Sequence, residues 1–399
     1  VAETFGAKDK GGLRKYLFNG ALLCVVLSVV FTLFTTLMAG PLLQLIHTPE
    51  ELYADAVLYI RIIFLGIPAT VLYNYASSVL RAMGDSQHPF YFLLAASVLN
   101  IGLDYLLIVS MGTGVDGAAI ATVSAQLIST VACFCYAFAR YPEIRLKRED
   151  WRITMYDVRR HVSRGIPLGL QFSVLAIGII VMQGGVVQFD MRDGVMVSNA
   201  AQNGFGAANK LNSLVMTPMN ALGTAMTSFT AQNLGAGRYD RIKKGTLQSM
   251  IVMGVIVLCG VGLGMLLTVN DLYFHVFLSA DKVTPDAVRY GNSLLYVDFS
   301  MYLFLGFVFV VRNCVQGIGR SGFVLGAGAA EPVARITVCL VLPGLFAGGA
   351  VSADAPAMAF YALCAADPMA WIAADTVLCI PFFRNILKKN YGYLRSGRA

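Results

Sequence analysis

The chain has 399 residues, 57% of them hydrophobic and 13% charged, with a formal net charge of +7. A soluble domain carries about 25% charged residues. The deficit, with a mean hydropathy of +0.66, excludes an ordinary soluble globular protein and points to an all-α polytopic membrane protein.

A helix needs about 20 mostly apolar residues to cross a bilayer. Val1–Lys15 is polar and lacks the apolar core of a signal peptide. Ten predicted spans follow it: 16–38, 55–80, 89–110, 115–139, 165–188, 198–230, 246–268, 287–312, 321–347 and 356–387. The sixth and tenth are long and carry polar residues toward their ends. The loops divide the basic residues sharply. One set of alternate loops holds 24 of the 30 lysines and arginines, the other only Arg192 and Lys282. The rich side is expected to be cytoplasmic, which puts both ends of this chain inside a cell membrane. This sidedness accounts for the positive charge, so nucleic acid is not an expected partner.

The basic stretch 141–164 divides the chain. It predicts an N-terminal lobe over 1–140 with four spans, a cytoplasmic connector over 141–164, a C-terminal lobe over 165–390 with six spans, and a cytoplasmic tail over 391–399. The connector's amphipathic middle predicts a helix on the membrane surface. All eight cysteines fall in or at the ends of apolar runs, so no disulfide is expected. Cys133 and Cys135 point to different helix faces and make a poor metal pair. No zinc-binding pair, nucleophile elbow or phosphate loop is present, so the chain reads as a non-enzyme without a cofactor.

The sequence repeats itself. Phe5-Gly6-Ala7-Lys8 returns as Leu234-Gly235-Ala236-Gly237, at an offset of 229. Leu80–Ser86 returns as Val315–Ser321, at an offset of 235. Two copies of one membrane unit in the same order predict a transporter with two related helical bundles. The second copy has a long run ahead of Leu234 and the first has four residues ahead of Phe5. The front of the protein is therefore expected to be missing.

Several ordered stretches resemble the multidrug and toxic compound extrusion (MATE) family. They are Leu80–Pro89 (LRAMGDSQHP), Leu99–Asp104 (LNIGLD), Gly114–Val123 (GVDGAAIATV), Ala231–Gly237 (AQNLGAG) with Arg241–Gly245 (RIKKG), and Val315–Ser321 (VQGIGRS). The resemblance covers nearly the whole chain. It implies two bundles of six helices, with four and six present here. The first helix and nearly all of the second would lie ahead of Val1. It implies export of organic cations or drugs against a sodium or proton gradient by alternating access of the two lobes.

An ionisable group in the bilayer core costs about 2.5–3.5 kcal/mol on insertion scales, so each asks for a reason. Asp104 and Asn100 stand one turn apart on the third span and share a face. Asn74 and Thr122 on neighbouring spans can converge on that face. The set offers one carboxylate and three neutral oxygens, which suits sodium; a buried carboxylate can instead carry a proton. The resemblance assigns these four residues to the family's first-lobe cation site. That site also uses an acid on the first helix. The bland alternative is that Asp104 and Asn100 only tie helices together.

In the second lobe Asp298 sits mid-span. Lys210 stands with Asn203, Asn209 and Asn212 on an unusually polar helix. Lys210 and Asp298 are expected either to pair or to leave Asp298 for a cationic substrate. Glu331 and Arg335, one turn apart, are expected to pair within their helix. Glu331-Pro332 is echoed by Asp367-Pro368, and both prolines should loosen their helices. Gln171 and Gln183 are expected to face the lobe interior. Gln171, Lys210, Asp298 and Glu331 are thus the candidate substrate-cavity residues. A monomer is expected. Three rival functions stay open: a lipid-linked saccharide flippase, which would need a cationic cavity for pyrophosphate, a membrane-embedded enzyme, and a non-transporting binding protein.

Overall fold

Inside a bilayer every backbone N–H and C=O must be paired within the chain, so apolar runs of this length become helices. The computed structural model describes residues 1–45, 50–151 and 153–387. His47 and the expected tail 391–399 lie outside them. The chain forms two compact units, Val1–His161 and Val162 onward.

The first unit opens with α1 (Ala2–Gly6) and α2 (Lys10–Leu45). The single span expected over 55–80 is one membrane-length stretch, Glu50–Ala82, interrupted at Gly66 just ahead of Pro68 into α3 (Glu50–Leu65) and α4 (Ile67–Ala82). Next come α5 (Gln87–Asp104), a π-helical turn (Tyr105–Ser110) and α6 (Val115–Arg140). Polar anchors hold these helices together. Ser129 donates to the Phe92 carbonyl at 2.9 Å, Thr130 to that of Ala69 at 2.9 Å, and Tyr73 to that of Pro89 at 2.6 Å.

The connector departs from its expected form. It makes two 3-10 turns, Pro142–Ile144 and Arg148–Asp150, and its second half is the first turns of α7 (Met155–Gln188). Two carboxylates in this stretch are drawn inward by α2. Asp150 receives Arg14 at 2.8 Å and Asp157 receives Lys15 at 2.7 Å. Those bonds hold the segment against the unit and leave no separate surface helix.

In the second unit a hairpin (β1 Met191–Arg192, β2 Val195–Met196) leads to α8 (Ala200–Gly235). The buried Asp190 carboxylate accepts from the backbone N–H groups of Ala201 and Gln202, at 2.9 and 3.0 Å, and so caps α8. Then follow α9 (Tyr239–Thr268), α10 (Leu272–Phe277), α11 (Pro285–Gly317), α12 (Ser321–Ala347), α13 (Ala357–Cys364) and α14 (Ala366–Pro381). The Pro368 site does break its helix, at Ala365 between α13 and α14, whereas α12 runs through Pro332 without interruption. Among the described residues nine helical stretches are long and apolar enough to cross a membrane. The 36-residue α8 is not one of them. Its asparagines and Lys210 lower its hydropathy, as befits a helix packed inside a bundle.

α8 and α11 run parallel and pack closely. Gly204 faces Ala287 and Gly291, Asn212 faces Asp298, and Thr227 faces Asn313. A methyl group on Gly204 would lie 2.2 Å from the Ala287 carbonyl oxygen, so only glycine permits this approach. The contact fixes the register that brings Asn212 to Asp298.

The repeat is visible in the backbone. The chain turns with positive φ at Lys8, Gly84, Gly237 and Gly319. In each case that residue's N–H bonds three residues back, and the next N–H reaches five back. The second bond is Asp9 to Thr4, Asp85 to Leu80, Arg238 to Asn233 and Arg320 to Val315, at 2.8–3.1 Å. This is the Schellman stop of a helix, which favours glycine at the turning residue. Both pairs read from the sequence therefore share one local geometry.

Candidate functional site

The first unit brings together part of the predicted cation set. Asn100 Nδ2 donates to Thr122 Oγ1 at 3.4 Å, across α5 and α6. Asp104, one turn on, closes α5 where the helix widens into its π turn, a distortion common at functional sites. Its Oδ1 is buried and has no hydrogen-bond partner. A buried carboxylate oxygen without a donor calls for a cation or a proton. Asn74 stands exposed on α4. No hydrogen bond among the described residues joins it to the other three.

The second unit holds a larger polar network. Asp298, 1% exposed, accepts through Oδ2 from Asn212 Nδ2 at 2.6 Å. Asn212 in turn accepts from the Tyr302 hydroxyl at 2.8 Å. Asp298 Oδ1 is left unpartnered. Arg335 pairs with Asp367 on α14 at 2.6 Å. Arg312 pairs with Glu331, and Asp375 lies within electrostatic range of Arg312 while its own Oδ1 has no partner. Gln171 is buried, packs against Gly328 one turn before Glu331, and leaves Oε1 unpartnered.

Two expected pairings are not formed. Glu331 does not pair with Arg335: each reaches to a neighbouring helix, Glu331 to Arg312 on α11 and Arg335 to Asp367 on α14. A side chain buried between helices meets its interhelical partner in a drier setting, where an ion pair is stronger. Lys210 does not pair with Asp298 either. It is exposed, its amine lies 3.5 Å from the Phe277 carbonyl and 5.8 Å from the Phe277 ring centre, and Asn212 takes the place beside Asp298. Lys210 and Asn212 are two residues apart and point to different helix faces. Gln183 is exposed, unlike Gln171.

A cavity of about 410 Å³ opens between α7 and α12, lined by Val181, Gly185, Gln188, Cys339, Gly344 and Val351 among others. None of the four candidate cavity residues lines it. Arg312 is the last residue of the predicted span 287–312. Its place in the buried network is marked in the sequence only by its position at the end of an apolar run.

Helices long and apolar enough to cross a membrane in both units, with a buried ion-pair network in the second, describe a multi-pass membrane protein. The MatE family model matches residues 1–106 and 179–341, and the chain belongs to the MatE family of multi-pass membrane transporters; it is not an enzyme. Probable multidrug resistance protein YpnP of Bacillus subtilis (strain 168) is 31% identical over 327 residues, covering 82% of this chain and 69% of that protein. The FAD transporter of Shewanella oneidensis is 26% identical over 263 residues, or 63% of this chain and 54% of that one. Among solved structures, an outward-facing multidrug resistance MATE family transporter of the MOP superfamily superposes with a TM-score of 0.80 at 20% identity, covering 99% of this chain and 82% of that one. A MOP superfamily transporter from Pyrococcus furiosus, described as having a binding pocket of reversed polarity, gives 0.82 at 19% identity, covering 96% and 81%. These likenesses establish the fold.

Proposed function

We propose that the protein is a secondary active exporter of organic cations or drugs, working in exchange for sodium or protons. Both ends of the chain lie in the cytoplasm of a cell whose plasma membrane it spans. Asn74, Asn100, Asp104 and Thr122 bind the coupling ion. Gln171, Lys210, Asp298 and Glu331 act on the substrate side.

The observation that carries the cationic substrate is a pair of unsatisfied carboxyl oxygens in the second unit. The two guanidinium groups are each matched, Arg312 by Glu331 and Arg335 by Asp367, while Asp298 and Asp375 each keep a buried oxygen without a hydrogen-bond partner. Buried acceptors left open in this way suit a cationic group with donors to give, and offer nothing to the pyrophosphate of a lipid-linked saccharide. Coupling requires that ion and substrate favour different states of the protein. Asp104, with an unpartnered oxygen, is the group whose charge the ion would change.

The test is export of a fluorescent organic cation from proteoliposomes under a sodium gradient and, separately, a pH gradient. One gradient should drive export, and Asp104→Asn should abolish the drive while leaving the protein monodisperse. Export of FAD but of no organic cation would overturn the substrate assignment. Unchanged gradient dependence in Asp104→Asn would overturn the ion site.

A further inference from the structure

The connector carries a second chemistry, independent of transport. Over 140–160 the sequence places seven lysines and arginines against four carboxylates. Two of those carboxylates, Asp150 and Asp157, are buried and matched by Arg14 and Lys15 of α2. The outward charge of the segment is therefore strongly positive, with Arg145, Arg148 and Arg159 exposed.

Beside these cations stands a row of large apolar side chains that the fold leaves outside. Trp151 is 64% exposed, Ile153 55%, Met155 80% and Tyr156 70%. Four such residues in one short segment, before α7 and in its first turn, are not packed within the unit. Their height is fixed by α2. The connector is tied to Arg14 and Lys15, and the Trp151 ring stacks on Phe18 with centres 5.5 Å apart. Residues 14 to 18 rise only about 6 Å along a helix, and the apolar run of α2 begins at 16. The exposed row therefore lies at the boundary between hydrocarbon and headgroups, where tryptophan and tyrosine are favoured.

We infer that the connector forms a docking surface for anionic phospholipid, with Trp151, Ile153, Met155 and Tyr156 dipping into the acyl boundary and Arg145, Arg148 and Arg159 binding headgroup phosphates. Apolar insertion and attraction to negative lipid add together in such segments. The leaflet is the one on the arginine-rich side. The carboxylates turned inward serve this surface as well as the fold, because outward they would repel the lipid.

The chain has two tryptophans, and the other, Trp371, is 7% exposed against Tyr302. Trp151 is thus the natural probe. The whole protein is reconstituted in nanodiscs containing brominated phosphatidylglycerol or brominated phosphatidylcholine at equal mole fraction, and tryptophan quenching is read. The anionic lipid should quench more. That excess should vanish in Trp151→Phe and fall about fivefold for each cation removed in Arg145→Gln, Arg148→Gln and Arg159→Gln at low salt. The matching Arg→Lys triple variant should keep it, which separates charge from folding. Equal quenching by the two lipids, no Trp151 quenching by either, or an undiminished excess in the glutamine triple variant would each overturn the inference.

Discussion

The tightest test of the fold lies at Gly204. Replacement by alanine puts a Cβ 2.2 Å from the Ala287 carbonyl oxygen and 2.9 Å from the Gly291 amide nitrogen. Both are backbone atoms and cannot rotate away. Ordinary carbon–oxygen contacts begin near 3.2 Å, so α8 and α11 must part by about 1 Å at this level. Overpacking of this kind costs about 1–3 kcal/mol, offset in part by the better helix propensity of alanine, about 1 kcal/mol. Gly206, two residues on, has nothing within 4 Å of a Cβ, so Gly206→Ala gains the propensity without the clash. Purified variants compared by thermal unfolding should differ in sign. Gly204→Ala should melt several degrees lower, at roughly 2–4 °C per kcal/mol, and Gly206→Ala at or above the parent. Equal melting temperatures would refute the parallel close packing of α8 on α11, and with it the register that pairs Asn212 with Asp298.

Lys8 adopts φ of 57° where the other three equivalent turns use glycine. Lys8→Gly should stabilise the first unit by about 1 kcal/mol, measured by the same assay, and Gly237→Lys should do the reverse. Burial alone would raise the Asp85 carboxyl, but hydrogen bonds from His88, Tyr136 and Tyr141 outweigh it and hold its pKa below the usual value. A depressed folded pKa gives stability that is present above the unfolded value, about 3.9, and lost as pH falls through the folded one. The melting temperature of the parent should therefore drop more steeply below about pH 4 than that of Asp85→Asn. Asn212→Ala removes two hydrogen bonds, and at roughly 0.6 kcal/mol each on average for membrane proteins, with a maximum near 1.7, it should cost about 1–3 kcal/mol. In a double-mutant cycle with Asp298→Ala the effects should be less than additive; strict additivity would show that the pair does not interact.

Hydropathy and charge sidedness made the spans legible because both act along the chain and need no partner. Gly66 and Pro68 mark an interruption that a count of apolar residues runs across, so one span holds both α3 and α4. The polarity of Asn212 and Asp298 was plain in the sequence, but their mutual bond depends on the offset at which α8 lies beside α11. Spacing on one helix suggested that Glu331 meets Arg335. It could not report that Arg312 and Asp367 approach from two other helices. The same limit applies to Asn74: of the four residues expected to converge, the described hydrogen bonds join Asn100 to Thr122. The connector failed as a surface helix because its amphipathic pattern was made by side chains with opposite duties, two acids turned in and four apolar groups turned out.

The repeat shows where scaffold ends and chemistry begins. The turns at Gly84 and Gly319 share their backbone bonds, yet the residue after the glycine is Asp85 in one and Arg320 in the other. Asp85 accepts from two tyrosines and a histidine and so ties the start of α5 to the end of α6. An arginine cannot accept those bonds, so the second unit closes the same turn without that latch. The divergence recurs at depth. The first unit carries the short Asn100–Asp104 face, bonded across to Thr122, whereas the second spreads carboxylates and guanidinium groups over α11, α12 and α14. Two copies of one turn geometry thus stand beside two different polar interiors, a short face in the first unit and a spread network in the second. The roles proposed for the two units rest on those residues, since the turns that the copies share are indifferent to them.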